Sequence, residues 1–152
     1  MATLYSVELG GGAANARTYP VSGVGMGGRT THAARGEYTI TAALALNDTI
    51  QLFDLPANAR IVSGFVKSAD FDSNGTPTIV LAVGDAADDD RYFTGLTIGQ
   101  TGGVSNALAS TGVDYVTTAK TRVIAKVTTG PATGATTGTL VVVLEYFVNE
   151  PA

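Results

Sequence analysis

Apolar and polar residues alternate over most of the stretch from Asp48 to Asp85, DTIQLFDLPANARIVSGFVKSADFDSNGTPTIVLAVGD. An alternation with a period of two is typical of β-strands that turn one face toward a core. Two clusters of turn-forming residues interrupt it, Leu55-Pro56-Ala57-Asn58 and Asn74-Gly75-Thr76-Pro77. The stretch therefore predicts three strands, and the Asn-Gly pair predicts a hairpin between the second and the third.

The same alternation recurs on both sides of this stretch. It predicts strands over residues 3–7, 37–46, 113–119, 121–128 and 139–149. Both faces of the last strand are apolar near its start, which predicts a position in the middle of a sheet or cover on both sides. The connections are rich in Gly, Thr and Pro, and the sequence contains no convincing long helix. These features predict an all-β, antiparallel fold, either a β-sandwich or a small barrel.

The first 36 residues differ from the rest of the chain. They contain eight glycines and carry Arg17, Arg29 and Arg35 against a single acidic residue. Gly-rich sequence loses much conformational entropy when it becomes ordered. We therefore expect an extended, flexible arm over residues 1–36 and a β-sandwich domain over residues 37–152. The basic arm on an acidic body suggests an extension that becomes ordered on a neighbouring subunit, and a mobile terminus without a partner is the alternative.

The overall composition excludes several classes of function. The net charge is −4 at pH 7, which argues against nucleic acid as a partner because phosphate binding needs clustered Lys and Arg. The absence of cysteine excludes disulfides and thiolate metal sites. The sequence shows no signal peptide and no apolar run near the length of a membrane span. We expect no membrane partner and no export. Charged residues make up only 14% of the chain, and such neutral surface suits a subunit of an assembly.

One stretch has the residue types of a metal site. Asp70, Asp72 and Asn74, followed by Gly75, match the first half of a calcium-binding loop. The bidentate acid of that loop would stand at position 81, which is Leu81, so an EF-hand is ruled out. A calcium turn of another kind, with Asp70, Asp72 and Asn74 as ligands, remains an alternative to a solvated turn. We favour the turn and expect no metal and no cofactor.

Three other patterns have weaker interpretations. Residues 23–28 have the letters of a dinucleotide-binding motif, but no βαβ unit surrounds them. The consecutive acids Asp88 to Asp90 resemble a solvated charge run more than an acid–base pair. The single histidine, His32, lies in the arm, which argues against a catalytic triad and against catalytic zinc. No feature supports an enzyme.

Three quoted segments carry a resemblance to a known group of proteins. They are ALNDTIQLFDLPANARIVSGFVKSADFDSNGTPTIVLAVGD, DDDRYFTGLTIGQTGG and the ending LVVVLEYFVNEPA. Over residues 36–152 the chain resembles small virion proteins of tailed bacteriophages that are encoded near the major capsid protein. Some of these are capsid decoration, or cement, proteins with a jelly-roll or related β-sandwich fold. The resemblance therefore implies that the fold of this chain is an antiparallel β-sandwich that is jelly-roll-like.

The resemblance implies a viral structural protein, made in the host cytoplasm, that binds the outer surface of a phage capsid and stabilises it. The implied partners are the major capsid protein and further copies of the chain, with a trimer favoured and a dimer possible. Arg17, Arg29 and Arg35 are then candidates for pairing with acidic capsid surface. The alternatives are another virion component (tail, neck or head fibre), a calcium-dependent carbohydrate- or receptor-binding module, and a hydrolase.

Overall fold

The computed structural model describes residues 3–5 and 30–148 of the chain. Nearly all regular structure is β. The strands are β1 (Thr3–Tyr5), β2 (His32–Thr39), β3 (Thr49–Leu55), β4 (Ala59–Ser68), β5 (Val80–Gly84), β6 (Phe93–Leu96), β7 (Gly103–Ser105), β8 (Thr121–Thr129) and β9 (Thr139–Val148). A 3-10 turn, Ile98–Gln100, precedes β7. Within the described residues no helix is long and apolar enough to cross a membrane.

The strands form two sheets that pack face to face. Sheet A has the order β1-β3-β8-β5-β6, and sheet B has the order β2-β9-β4-β7. All neighbouring strands are antiparallel except β1 and β3. The eight strands from β2 to β9 are divided equally between the sheets, and most connections cross from one sheet to the other. This arrangement is a double-sheet jelly roll. Of the two architectures that the alternation left open, the β-sandwich is confirmed, in the jelly-roll-like form that the resemblance implied.

The hydrophobic core lies between the two sheets. Strand β9 contributes Leu140, Val142, Leu144 and Tyr146, each fully buried, and sheet A contributes apolar residues from β3, β5 and β8. Strand β9 lies between β2 and β4 in the middle of sheet B. Its central position, predicted from its two apolar faces, is therefore confirmed.

The predicted hairpin at Asn74-Gly75 is wrong. The strand before this turn, β4, belongs to sheet B, and the strand after it, β5, belongs to sheet A. The chain crosses between sheets because the buried carboxylate of Asp72 binds the backbone N–H groups of Thr78 and Ile79 and fixes the crossing. An Asn-Gly pair permits a tight turn but does not choose the strand that follows it.

Three stretches of the structure differ from the predictions made from the sequence. Strand β2 begins at His32, so residues 32–36, which the glycine content assigned to the arm, pair with β9. No strand was predicted directly after β6, where β7 pairs with the end of β4. Residues 113–119 form no named strand, although Ile61 donates its N–H to Tyr115 at the side of β4.

Candidate interaction surface

The candidate calcium ligands Asp70, Asp72 and Asn74 lie in a turn that their own side chains stabilise by hydrogen bonds. The side chain of Asp72 is buried and accepts backbone N–H groups from five residues: Asn74 (3.4 Å), Thr78 (2.7 Å), Ile79 (3.2 Å), Ala132 (2.8 Å) and Thr133 (2.8 Å). Asp70 accepts the N–H of Asp72 at 2.9 Å, and Asn74 accepts that of Thr76 at 2.8 Å. Asp72 therefore joins the 72–79 crossing to the 130–134 turn, and Asn74 adds a bond from its Nδ2 to Oγ1 of Thr133.

The surroundings of Asp72 suit a negative charge and not a cation. Burial alone would raise its pKa, but the N–H donors of Thr133, Thr78, Ala132 and Ile79 outweigh burial and hold the pKa far below its ordinary value. Both carboxylate oxygens accept N–H groups, whose positive ends occupy the directions from which a metal ion would approach. Among the described residues, no three His, Cys, Asp or Glu side chains are placed to share a metal ion.

The acidic loop after β5, residues 85–90, is likewise held in place by hydrogen bonds. Asp85 is buried and accepts the Nε–H of Arg91 at 2.6 Å as well as the backbone N–H of Ala87 and Asp88. The guanidinium of Arg91 stacks on the ring of Tyr115 at 4.0 Å. These contacts give the acidic residues a structural role in fixing the loop.

The loop also covers part of sheet A. A Cβ at Gly84 would lie 2.1 Å from the carbonyl oxygen of Asp88, so only glycine lets the loop lie this close to the strand. The side chains of the acidic run have partners as well. Asp89 binds Lys126 at 2.5 Å, and Asp90 accepts the hydroxyl of Thr94 at 2.9 Å.

The outer face of sheet A is polar, and its charges are paired with one another. Asp54 is almost fully buried, and it binds Arg122 as well as Lys120 at 3.0 Å. Burial would raise the pKa of Asp54, but these two cations lower it below its usual value. The guanidinium of Arg122 also reaches the side-chain oxygen of Gln51 at 3.4 Å. This face satisfies its own charges and offers little apolar area to a partner.

The outer face of sheet B is apolar along its middle. Strand β4 turns Val62 and Phe65 outward, each 38% exposed, and β7 exposes Val104 at 61%. The neighbouring outward residues of β9 are Val141 and Val143, which lie opposite Lys67 and Phe65 in the β4–β9 register. We call Val62, Phe65, Val104, Val141 and Val143 the apolar stripe. Val143 is only 9% exposed and Val141 is partly exposed, so most of the exposed apolar area comes from Val62, Phe65 and Val104. Lys67 lies between Val104 and Val141 in the strand register. Exposed apolar surface on a protein is typical of an interaction site.

A β-bulge explains why the sequence did not predict the stripe. Simple alternation along β4 puts Phe65 on the same face as Ile61, which is fully buried. The register of β4 against β9 shifts between Ile61 and Ser63, and the extra residue reverses the faces of everything that follows. Val66 therefore points into the core and Phe65 points outward. The valines on the second face of β9 were the only signal of this surface in the sequence.

The charges around the stripe are largely paired. Arg35 on β2, a candidate contact residue from the sequence, binds Glu37, and Arg60 binds Asp114 at 3.4 Å. Arg35 lies opposite Val143 in the β2–β9 register, so its strand position borders the stripe. The other two candidates, Arg17 and Arg29, lie outside the described residues.

Comparisons with known proteins identify relatives among phage capsid structures. No family model and no curated protein matches the chain. A chain in the capsid of Ralstonia phage GP4 is 31% identical with a TM-score of 0.80, over 99% of this chain and 100% of that one. A chain in the capsid asymmetric unit of cyanophage Pam1 is 34% identical with a TM-score of 0.73, over 90% and 96%.

A third structure supports the fold alone. A chain in the acidic stable capsid of Helicobacter pylori bacteriophage KHP30 is 18% identical, with a TM-score of 0.51 over 80% of this chain and 95% of that one. The first two relatives exceed 30% identity over almost the whole of both chains, so they establish relationship as well as fold. The chain belongs to the family of tailed-phage virion structural proteins that these two capsid chains represent.

Proposed function

We propose that this virion protein is a decoration, or cement, subunit that binds the outer surface of the capsid through the apolar stripe of sheet B. The observation that carries the proposal is the contrast between the two outer faces. Sheet A pairs its charges internally, whereas sheet B exposes Val62, Phe65 and Val104 on its outer face. A sandwich that presents one apolar face has a preferred face for docking on a shell.

The exposed part of the stripe suits an interaction that is weak for one subunit. Burying a whole apolar side chain stabilises by about 1.5–3 kcal/mol, and these side chains are already partly covered, so each adds about 1 kcal/mol. Many symmetric copies on one shell would multiply a weak contact through multivalency. Self-association of the chain, with a trimer favoured over a dimer, would strengthen this effect, and the major capsid protein is the proposed partner.

The basic residues extend the same proposal. Arg35 borders the stripe, and its guanidinium could exchange Glu37 for an acidic side chain of the major capsid protein at little cost, because exposed ion pairs contribute only about 0–1 kcal/mol. Arg17 and Arg29 are proposed as further contacts with acidic capsid surface. Replacing these two with Ser tests the proposal, and it leaves β2 intact, whereas deletion of residues 1–36 would remove half of that strand.

The role proposed is structural and not catalytic. The acids that could have served as an acid–base pair, Asp89 and Asp90, bind Lys126 and Thr94. A side chain whose oxygen is held by a neighbouring group of the fold is poorly placed to exchange protons with a substrate.

Binding to capsids that lack the protein tests the function directly. The variant is Phe65→Ser combined with Val104→Ser, and the measurement is co-sedimentation over a range of protein concentrations. Leu46→Ser is the matched control, because Leu46 is 54% exposed but lies in the connection between β2 and β3. We expect wild type and the control to bind with similar affinity and the double variant to bind at least about 10-fold more weakly. Wild-type protein that stays in the supernatant, or a double variant that binds normally, would refute the proposal.

A further inference from the structure

One edge of sheet B is interrupted in the middle of β4. On the side away from β9, strand β7 pairs only with residues 66–68 of β4. At the other end, Ala59 accepts the backbone N–H of Thr117, and Ile61 donates its N–H to Tyr115 and accepts that of Asp114. In the part of the chain that the structure describes, no strand pairs with residues 62–65 on this side. We call residues 62–65 of β4 the edge gap.

The backbone of Gly64 faces the edge gap. Ala69 donates its N–H to Thr139 on β9, so it begins the hydrogen-bonded pairs of the β4–β9 ladder. In an antiparallel pair such residues alternate, which directs residues 67, 65 and 63 toward β9 and directs the N–H and C=O of Gly64 to the opposite side. An edge of this kind is a template for one more strand.

Gly64 is also accessible. It is partly exposed, and a Cβ at this position would lie 2.5 Å from the carbonyl oxygen of Val143. The space on the β9 side is therefore full, and the part of Gly64 that meets solvent is its main chain. Position 64 therefore carries no side chain that a partner strand would have to pass.

The dimensions of the edge gap limit its occupant to a single extended segment. Four residues at about 3.3 Å each give a length of about 13 Å. Strand β7 closes one end and residues 114–117 close the other, so a whole sheet edge of a second copy would collide with them. A single extended chain, entering from outside and leaving again, fits between them.

The side chains around the edge gap indicate what this segment carries. Val62 and Phe65 are the two end residues of the edge gap, and both are exposed on the outer face of sheet B. Apolar side chains at alternate positions of the segment would pack against them. Arg60 already binds Asp114, and Ser63 binds Glu145. Lys67 is exposed, and no acid of the described residues forms an ion pair with it. A carboxylate near the β7 end of the segment would complement Lys67.

We propose that the edge gap binds an extended segment of the capsid shell subunit by β-strand addition, and that the segment has alternate apolar residues and a carboxylate facing Lys67. Backbone hydrogen bonds with Gly64 provide the register, and the apolar stripe provides the adjoining side-chain contact. This inference rests on the proposed capsid binding and specifies how that binding is made.

Amide hydrogen exchange of wild-type protein, free and bound to capsids, tests the inference. Strand addition should slow the exchange of the Gly64 amide by at least about 10-fold on binding, because that N–H gains a carbonyl acceptor. Protein that binds capsids while Gly64 exchanges as in the free state would overturn the inference and leave the proposed function standing. Protein that binds no capsid would overturn both.

Charge reversal provides a second readout that does not depend on exchange. Lys67→Glu should weaken capsid binding by at least about 5-fold, and Lys120→Glu, on the outer face of sheet A, should leave it unchanged. The melting temperature of each variant verifies folding. Equal binding by Lys67→Glu and wild type would exclude a carboxylate at this position of the partner.

Discussion

The two outer faces of the sandwich differ in polarity. Sheet A buries the carboxylate of Asp54 beneath Lys120 and Arg122 and is covered in part by the acidic loop. Sheet B leaves Phe65 and Val104 in contact with solvent. The polar contacts of sheet A contribute to the stability of the chain itself. The exposed apolar residues of sheet B contribute little to stability until a partner covers them. Substitutions on sheet A should therefore change stability, whereas substitutions on the outer face of sheet B should change binding.

The largest expected effect on stability comes from the carboxylate that joins the two sheets. Asp72→Asn keeps the shape of the side chain, but it replaces one acceptor oxygen by an NH₂ group that opposes the N–H donors of Thr78 and Ala132. We expect a melting temperature lower by about 5–10 °C at pH 7, measured by calorimetry. Capsid binding of the folded variant should be unchanged. A variant as stable as wild type would show that these hydrogen bonds do not hold the crossing between sheets.

The pH dependence of stability tests the same group. The pKa of Asp72 is lower in the folded than in the unfolded protein, so protons bind preferentially to the unfolded state as the pH falls. The stability that Asp72 provides is complete above about pH 4, the ordinary pKa of Asp, and is lost as the pH falls toward the folded pKa. Between pH 5 and pH 2 the stability of wild type should fall more steeply than that of Asp72→Asn. Parallel curves would contradict the low pKa.

The second largest expected effect is a loss of stability, without a loss of capsid binding, when the charge pairing on sheet A is removed. Asp54→Ala leaves Arg122 and Lys120 without their shared carboxylate and should lower the free energy of unfolding by about 2 kcal/mol, as measured in urea. Because this contact lies on sheet A, capsid binding should not change. Loss of binding in a folded Asp54→Ala protein would mean that the shell recognises sheet A.

Phe65→Ser should have the opposite pattern. Phe65 is 38% exposed, so we expect a loss of unfolding free energy of about 1–2 kcal/mol, smaller than that of a buried aromatic residue, together with a clear loss of capsid binding. Unfolding in urea and co-sedimentation with capsids give the two quantities on the same sample. A large loss of stability without loss of binding would assign Phe65 to the core and not to an interface.

The smallest expected effect is that of salt. If the apolar stripe provides most of the binding energy, the affinity for capsids should change by less than about threefold between 50 and 300 mM NaCl. A steep fall in affinity over this range would instead indicate that the basic residues, Arg35 among them, dominate the contact.

The sequence was sufficient for the fold class because alternation is a local property. Strands β8 and β9 lie close to their predicted bounds, since each alternates without interruption. The hairpin at Asn74-Gly75 failed because a contact distant in sequence, between Asp72 and residues 132–133, decides where the chain goes next. The sequence did not predict the apolar stripe, because one bulged residue in β4 reverses which side chains of that strand point outward beyond it. The alternation of apolar and polar residues does not reveal where a bulge occurs.

The most direct measurement of the central claim is a reconstruction of the intact virion at a resolution that separates β-strands. We predict that the protein lies on the outer shell, with sheet B and its apolar stripe against the capsid and the charged face of sheet A toward solvent. Density for the protein in the tail or neck, or a subunit whose sheet A faces the shell, would contradict this prediction.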